Sequence, residues 1–188
     1  MITASAYDTH VEQLFEKLKR LHSVFVEAGL SYRVVGGVAV YFLVSERDPG
    51  KARMTQDVDV AVNRGDLDRI VATAERHGFQ HRHTAGLDML VDAAQPRASS
   101  AVHLIFVREK VRPDYLEPVP DFSEPTRTEE GILLSPVADL VRMKLTSFRM
   151  RDRVHVQDMD SVGLITQDIE GSLSEPLRAR LAEVRATE

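Results

Sequence analysis

The chain has 188 residues, 43% apolar and 28% charged, a composition that fits one globular domain or a domain with a small appendage. Its net charge of −5 argues against a general nucleic-acid coat but leaves room for local basic patches. The lack of cysteine excludes disulfides, thiolate zinc sites and cysteine nucleophiles. No run approaches the roughly 18 apolar residues of a membrane span, and the polar start, Met1 to His10, has no signal-peptide core, so no membrane partner and a cytoplasmic location are expected.

From Asp8, the residues Val11, Leu14, Leu18, Leu21 and Phe25 recur at helical spacing and Gly29 follows as a stop, which predicts an amphipathic helix over about 8–28. Ser31 to Val35 reads as a strand ending at Gly36-Gly37, and Val38 to Val44 as a short buried helix. A charged loop with a Pro49-Gly50 turn leads through Arg53 and Thr55 into a second strand carrying Asp57 and Asp59. A helix from near Asp66 to Gly78 follows. Phe79–His83, Leu87–Asp92 and Ala101–Val107 are strand candidates, separated by Thr84-Ala85-Gly86 and Gln95-Pro96-Arg97 turns.

Residues 108–130 hold four prolines and many charges and read as a long surface connection. Ile132 to Leu134 suits a brief strand, and Ser135-Pro136 opens a helix from Val137 to about Met150. A helix carrying His155, Asp158 and Asp160 ends near Gly163, and Leu173 to Val184 makes a last amphipathic helix. The order predicts an α/β (α+β) fold with a mixed sheet of about four to six strands flanked by helices, with a C-terminal helical tail. The expected division is residues 1–134 for the sheet with its first helix and 135–188 for the helical segment packed on it.

Asp57 and Asp59 stand one residue apart in a β-branched run, so strand alternation puts both carboxylates on one face, where a divalent cation relieves their repulsion. Hard Mg²⁺ takes carboxylate oxygen and shares itself with substrate phosphates. Gly36-Gly37 adds a turn without Cβ atoms where backbone N–H groups approach an anion at a helix start. Together these point to nucleotide chemistry.

The order Gly36-Gly37, then Thr55-x-Asp57-Val58-Asp59, then Leu140-Val141-Arg142-Met143-Lys144-Leu145 with Arg151-Asp152 and Asp158, resembles the polymerase-β-like nucleotidyltransferase superfamily. Within it, the resemblance is to small bacterial proteins related to the AbiEii abortive-infection toxins, over roughly residues 30–162. The resemblance implies transfer of a nucleoside monophosphate from an NTP to a hydroxyl of RNA (tRNA) or protein, with Mg²⁺ or Mn²⁺ as cofactor. A toxin role with a cognate antitoxin partner is implied with it. Carried over by position, Gly36 and Gly37 hold phosphates, Asp57 and Asp59 hold metal and serve catalysis, and Lys144 meets the triphosphate. Arg53 and Thr55 flank the metal strand as candidates for phosphate or outer contacts.

One departure bears on catalysis. Members of the family that catalyse usually carry a third carboxylate on a later strand, and here that strand reads Ala101-Val102-His103-Leu104. His103 is a poorer partner for Mg²⁺ but an adequate base or Mn²⁺ ligand. Two readings follow: a histidine variant of the site, or a catalytically impaired nucleotide-binding or partner-binding module. A small-molecule modifier, such as an aminoglycoside adenylyltransferase, has no acceptor-specific signal in the sequence. His81 and His83 alternate on one strand as metal ligands do, without a third ligand at hand. The basic group from Arg142 to Arg153 reads either as a solvated helix surface or as an RNA groove.

Overall fold

The computed structural model describes residues 4–55, 57–94 and 101–187. Gln56 and the expected Gln95-Pro96-Arg97 turn lie outside them. Helix α1 (Ala4–Ala28) leads into strand β1 (Tyr32–Val35), helix α2 (Gly36–Arg47) and strand β2 (Val58–Val62). Helix α3 (Leu67–Arg76) precedes three strands, β3 (Phe79–Thr84), β4 (Leu87–Asp92) and β5 (Val102–Phe106). Two short strands, β6 (Thr126–Arg127) and β7 (Leu133–Leu134), precede helices α4 (Val137–Ser147), α5 (Met150–Ser161), α6 (Gln167–Ser172) and α7 (Glu175–Arg185).

These strands form one mixed seven-stranded sheet in the order β3-β4-β5-β2-β1-β7-β6. It is wider than the four to six strands expected, because the two-residue strands β6 and β7 extend the edge beside β1. β1 runs antiparallel to β2, and β2 runs parallel to β5. The Phe25 ring of α1 stacks on Tyr32 of β1 with centroids 4.4 Å apart, so α1 covers the face that carries Tyr32. The register Val34↔Val60 and Val60↔Leu104 puts these residues on that same covered face. Alternation then turns Asp59 and His103 to the opposite face.

The core is continuous from Leu14 on α1 to Val184 on α7, so the sheet and the C-terminal helices share one apolar interior. Leu18, Leu21 and Phe25 on one side of α1 are fully buried, and truncating Leu18 to Ala is worth about 2–5 kcal/mol. Asp57 precedes the first paired residue, Val58, and is therefore the approach to β2 rather than part of it. The helix expected to run to about Met150 stops at Ser147, because Phe148 adopts a left-handed conformation, φ 51°. The guanidinium carbons of Arg153 and Arg180 lie 4.0 and 4.7 Å from its ring centroid. Arg180 also donates to the carbonyls of Leu145 and Thr146, which the helix leaves open at its end. The short helix α6, capped by the Thr166 hydroxyl, has no counterpart in the sequence reading.

Candidate active site

The sheet and the α4–α5 pair enclose a cleft of about 560 Å³ whose floor includes Gly36, Asp57, Asp59 and His103. Asp59 and His103 are direct partners in the parallel β2–β5 register. His103 Nδ1–H donates to Asp59 Oδ1 over 3.0 Å. That bond, more than the opposing burial, raises the His103 pKa above its ordinary value. With Nδ1 engaged, the free lone pair of a neutral His103 lies on Nε2.

Gly36 is needed where it stands. Its φ of +71° belongs to the left-handed region, and a Cβ there would run into the Asp59 carboxylate. A Cβ on Gly37 would crowd the Thr55 side chain at 3.0 Å, which places Thr55 beneath the glycine turn and not in the cleft lining. Helix α2 begins here with Val35 as its N-cap and no side chain bonding to its first turn, so that end offers its N–H groups to an anion.

Opposite the carboxylates, α4 and α5 contribute a buried ionic cluster. Asp152 is fully buried and accepts from Lys144 Nζ at 3.1 Å, Ser147 Oγ at 2.8 Å and Arg149 Nε at 2.7 Å. Burial alone would raise the Asp152 pKa, but the Arg149 bond, the Lys144 charge and the Ser147 hydroxyl outweigh it and hold the group at about 2. Burial pulls the Lys144 ammonium down, and the ionised Asp152 opposes that. His155, behind the cluster, is held to about 4 by its burial and then by the Lys144 charge.

Arg151 reaches across the cleft to Asp57, Nη1 to Oδ2 at 3.3 Å. The remaining wall comes from the 108–119 loop and from the Ala85-Gly86 turn between β3 and β4, where both residues have positive φ. Two backbone bonds anchor that loop: Arg108 N–H donates to the Val119 carbonyl at 2.8 Å, and Val119 N–H to the Glu109 carbonyl at 2.9 Å. What reads in the sequence as a plain surface connection thus closes one side of the site.

The structure gathers Gly36, Asp57, Asp59, His103 and Lys144 around one cleft and leaves Arg53 out. Arg53 Nε instead pairs with Asp158 at 2.9 Å, beside a separate surface depression lined by Lys51 and Gln157. Ser147, Arg149 and the loop residues received no role from the sequence, although the arginine lay inside the basic group noted there. His81 and His83 both contact one oxygen of Asp88, at 2.8 and 3.0 Å, on the β3–β4 hairpin. Among the described residues, no group of three or more His, Asp or Glu side chains is arranged to hold a metal ion. Asp57 and Asp59 offer two hard oxygen donors, a set that suits a cation completing its shell with water and substrate phosphate.

No protein-family model matches the sequence, and no curated protein matches it significantly. Solved structures match in fold. The solution structure of the antibiotic-resistance factor ANT(2'')-Ia aligns with a TM-score of 0.53 at 11% identity, over 98% of this chain and 96% of that one. A crystal structure of ANT(2'')-Ia in complex with adenylyl-2''-tobramycin gives 0.52 at 11% identity, over 89% and 94%. An antigenic nucleotidyltransferase-like protein from Paracoccidioides brasiliensis gives 0.53 at 19% identity, over 90% and 88%. The chain therefore has a nucleotidyltransferase-type fold, a mixed α/β sheet flanked by helices.

Proposed function

We propose that the protein transfers a nucleoside monophosphate from an NTP to an acceptor hydroxyl, releasing pyrophosphate. The observation that carries this reading is the convergence of Gly36, Asp57 and Asp59 with Lys144 on one cleft, anions on one side and cations on the other. Asp57 and Asp59 would hold a divalent cation, Mg²⁺ or Mn²⁺, which neutralises triphosphate charge and stabilises the attacking and leaving oxygens. The uncapped start of α2 at Gly36 and Gly37 binds phosphate oxygens through backbone N–H groups. Lys144 and Arg149, both held by Asp152, face the triphosphate with fixed positive charge. His103 orients Asp59 through Nδ1 and takes the acceptor proton at Nε2.

Purified protein with Mg²⁺ or Mn²⁺ and each α-labelled NTP, supplied with cell RNA and cell protein, is the test. Label on an acceptor that vanishes in Asp57→Asn and Asp59→Asn supports the reading, and no label with any NTP sinks it. The sequence resemblance to AbiEii-related proteins supports reading the protein as a toxin of a toxin–antitoxin or phage-defence system, in which case expression should arrest growth and a cognate antitoxin should relieve it.

A second reading is a nucleotide-binding module with impaired catalysis. It is favoured by His103 standing where a third carboxylate would serve, with Nδ1 committed to Asp59. It predicts nucleotide binding without turnover.

A further inference from the structure

Three cationic side chains of the α4–α5 wall line the cleft, and they are not held alike. Lys144 and Arg149 are bonded to Asp152, a fully buried carboxylate that is not one of the two assigned to the cation. Neither has to move for a cation to bind. Arg151, in the first turn of α5, has a different partner: its Nη1 meets Oδ2 of Asp57 at 3.3 Å. The side chains of the two are 63% and 44% exposed, so water surrounds this one-point pair and holds it only weakly.

Asp57 is one of the two carboxylates assigned to the cation, so the Arg151 guanidinium stands on the metal seat itself. The other carboxylate is in use as well. Asp59 gives Oδ1 to His103, and its Oδ2 lies against Gly36, where an added Cβ would run into it. Even on Oδ1 of Asp57, a divalent ion would stand close to the guanidinium, and like charges repel. Arg151 and the cation are therefore competitors for Asp57.

A triphosphate changes the balance between them. Its oxygens offer the guanidinium a partner that carries more charge than one carboxylate and matches the arginine fork. Arg151 lines the same cleft as Lys144 and Arg149, the groups that face that triphosphate. An exposed side chain makes such an exchange by rotating about its own bonds, with α5 left in place.

We propose that Arg151 couples the two ligands of the site: it guards Asp57 against the divalent cation until a nucleoside triphosphate draws it away, so that cation and nucleotide enter together. The proposal rests on the nucleotidyltransferase reading above. Coupling of this kind is reciprocal, since the nucleotide raises affinity for the cation by the factor by which the cation raises affinity for the nucleotide. Arg151 adds to the coupling that a direct bond between cation and phosphate supplies. The site thereby discriminates against loading with metal in the absence of substrate.

The test measures two affinities in the full chain: Mn²⁺ without nucleotide, by paramagnetic resonance, and a fluorescent non-hydrolysable NTP at saturating Mn²⁺. Arg151→Gln should tighten the first about threefold, the scale of an exposed ion pair, and weaken the second about tenfold, the scale of a bond to a charged group. Arg178→Gln, which removes the arginine of another exposed pair, with Glu175 on α7, should change neither. Shifts of opposite sign are what a merely structural role would not produce, because damage to the fold weakens both. Unchanged or weaker Mn²⁺ binding in Arg151→Gln overturns the proposal, and so does an undiminished NTP affinity. Either result, with the native protein binding NTP, leaves nucleotidyl transfer standing. Native protein that binds no NTP refutes both readings.

Discussion

Lys144 Nζ and Asp152 Oδ1 meet at 3.1 Å in the wall of the cleft, the carboxylate fully buried and the ammonium nearly so. Removing one partner of such a pair leaves a buried charge uncompensated, which is worse than removing both. Asp152→Ala should therefore cost about 3–5 kcal/mol in chemical denaturation. The Lys144→Met/Asp152→Leu double variant should recover part of that loss while remaining unable to engage a triphosphate.

Asp152, bonded to Arg149 as well as paired with Lys144, also sets an acid limit on stability. The folded pKa of Asp152, about 2, lies below the ordinary carboxylate value of about 3.9. Its contribution is thus complete above the unfolded value and disappears as pH falls through the folded one. The difference is of order 2 kcal/mol. Denaturant midpoints measured between pH 5 and pH 2 should fall in the native protein, and the fall should be shallower in Asp152→Asn.

The His103 bond to Asp59 calls for a different measurement. Losing a group that orients a metal-binding carboxylate costs about 10–100-fold in metal affinity or activity. His103→Ala should weaken Mn²⁺ binding, read by paramagnetic resonance, by that order. His103→Asp should restore or exceed native binding, because it supplies a third carboxylate at the same register position. Unchanged Mn²⁺ affinity in His103→Ala would refute an orienting role.

Two glycines separate backbone strain from site geometry. Gly29 and Gly36 both have positive φ, but a Cβ at Gly29 meets nothing within 4 Å whereas one at Gly36 meets the Asp59 carboxylate. Gly29→Ala should cost about 1–2 kcal/mol of stability and leave nucleotide binding intact. Gly36→Ala should in addition lower nucleotide affinity, measured with a fluorescent NTP.

Arg53 provides the contrasting outcome. Its side chain is 64% exposed and pairs with Asp158 outside the cleft. Arg53→Ala should change nucleotide affinity by less than about twofold and stability by no more than about 1 kcal/mol. A larger loss of nucleotide affinity would mean that Arg53 leaves Asp158 to join the substrate.

The carboxylate half of the candidate site was legible because its two residues stand only two positions apart, although Asp57 precedes the first residue of β2. Asp57 and Asp59, and the strand-ending Gly36-Gly37, carry their geometry in local spacing. The register that sets His103 against Asp59 joins residues 44 apart, and although 101–107 read as a strand from its own residues, only the expected family pattern singled out His103 on it. The Asp152 cluster was not legible, because it depends on α4 stopping at Phe148. Nothing in that aromatic residue announces a left-handed turn, which is held from outside by Arg153 and Arg180. Arg53 misled for the opposite reason: closeness in sequence to a metal-binding strand says nothing about which way a long side chain leaves it.

The paired carboxylates Asp57 and Asp59 precede residue 60, whereas Lys144, Arg149 and Arg151, which face them, all lie beyond residue 140. On the ribosome, the sheet strands emerge well before α4 and α5 exist to face them. A chain that stops before α4 would carry Asp57 and Asp59 without Lys144, Arg149 and Arg151, and the proposed transfer would wait on those helices. Fragments ending at about residue 134 should be silent in the assay that tests the proposed transfer.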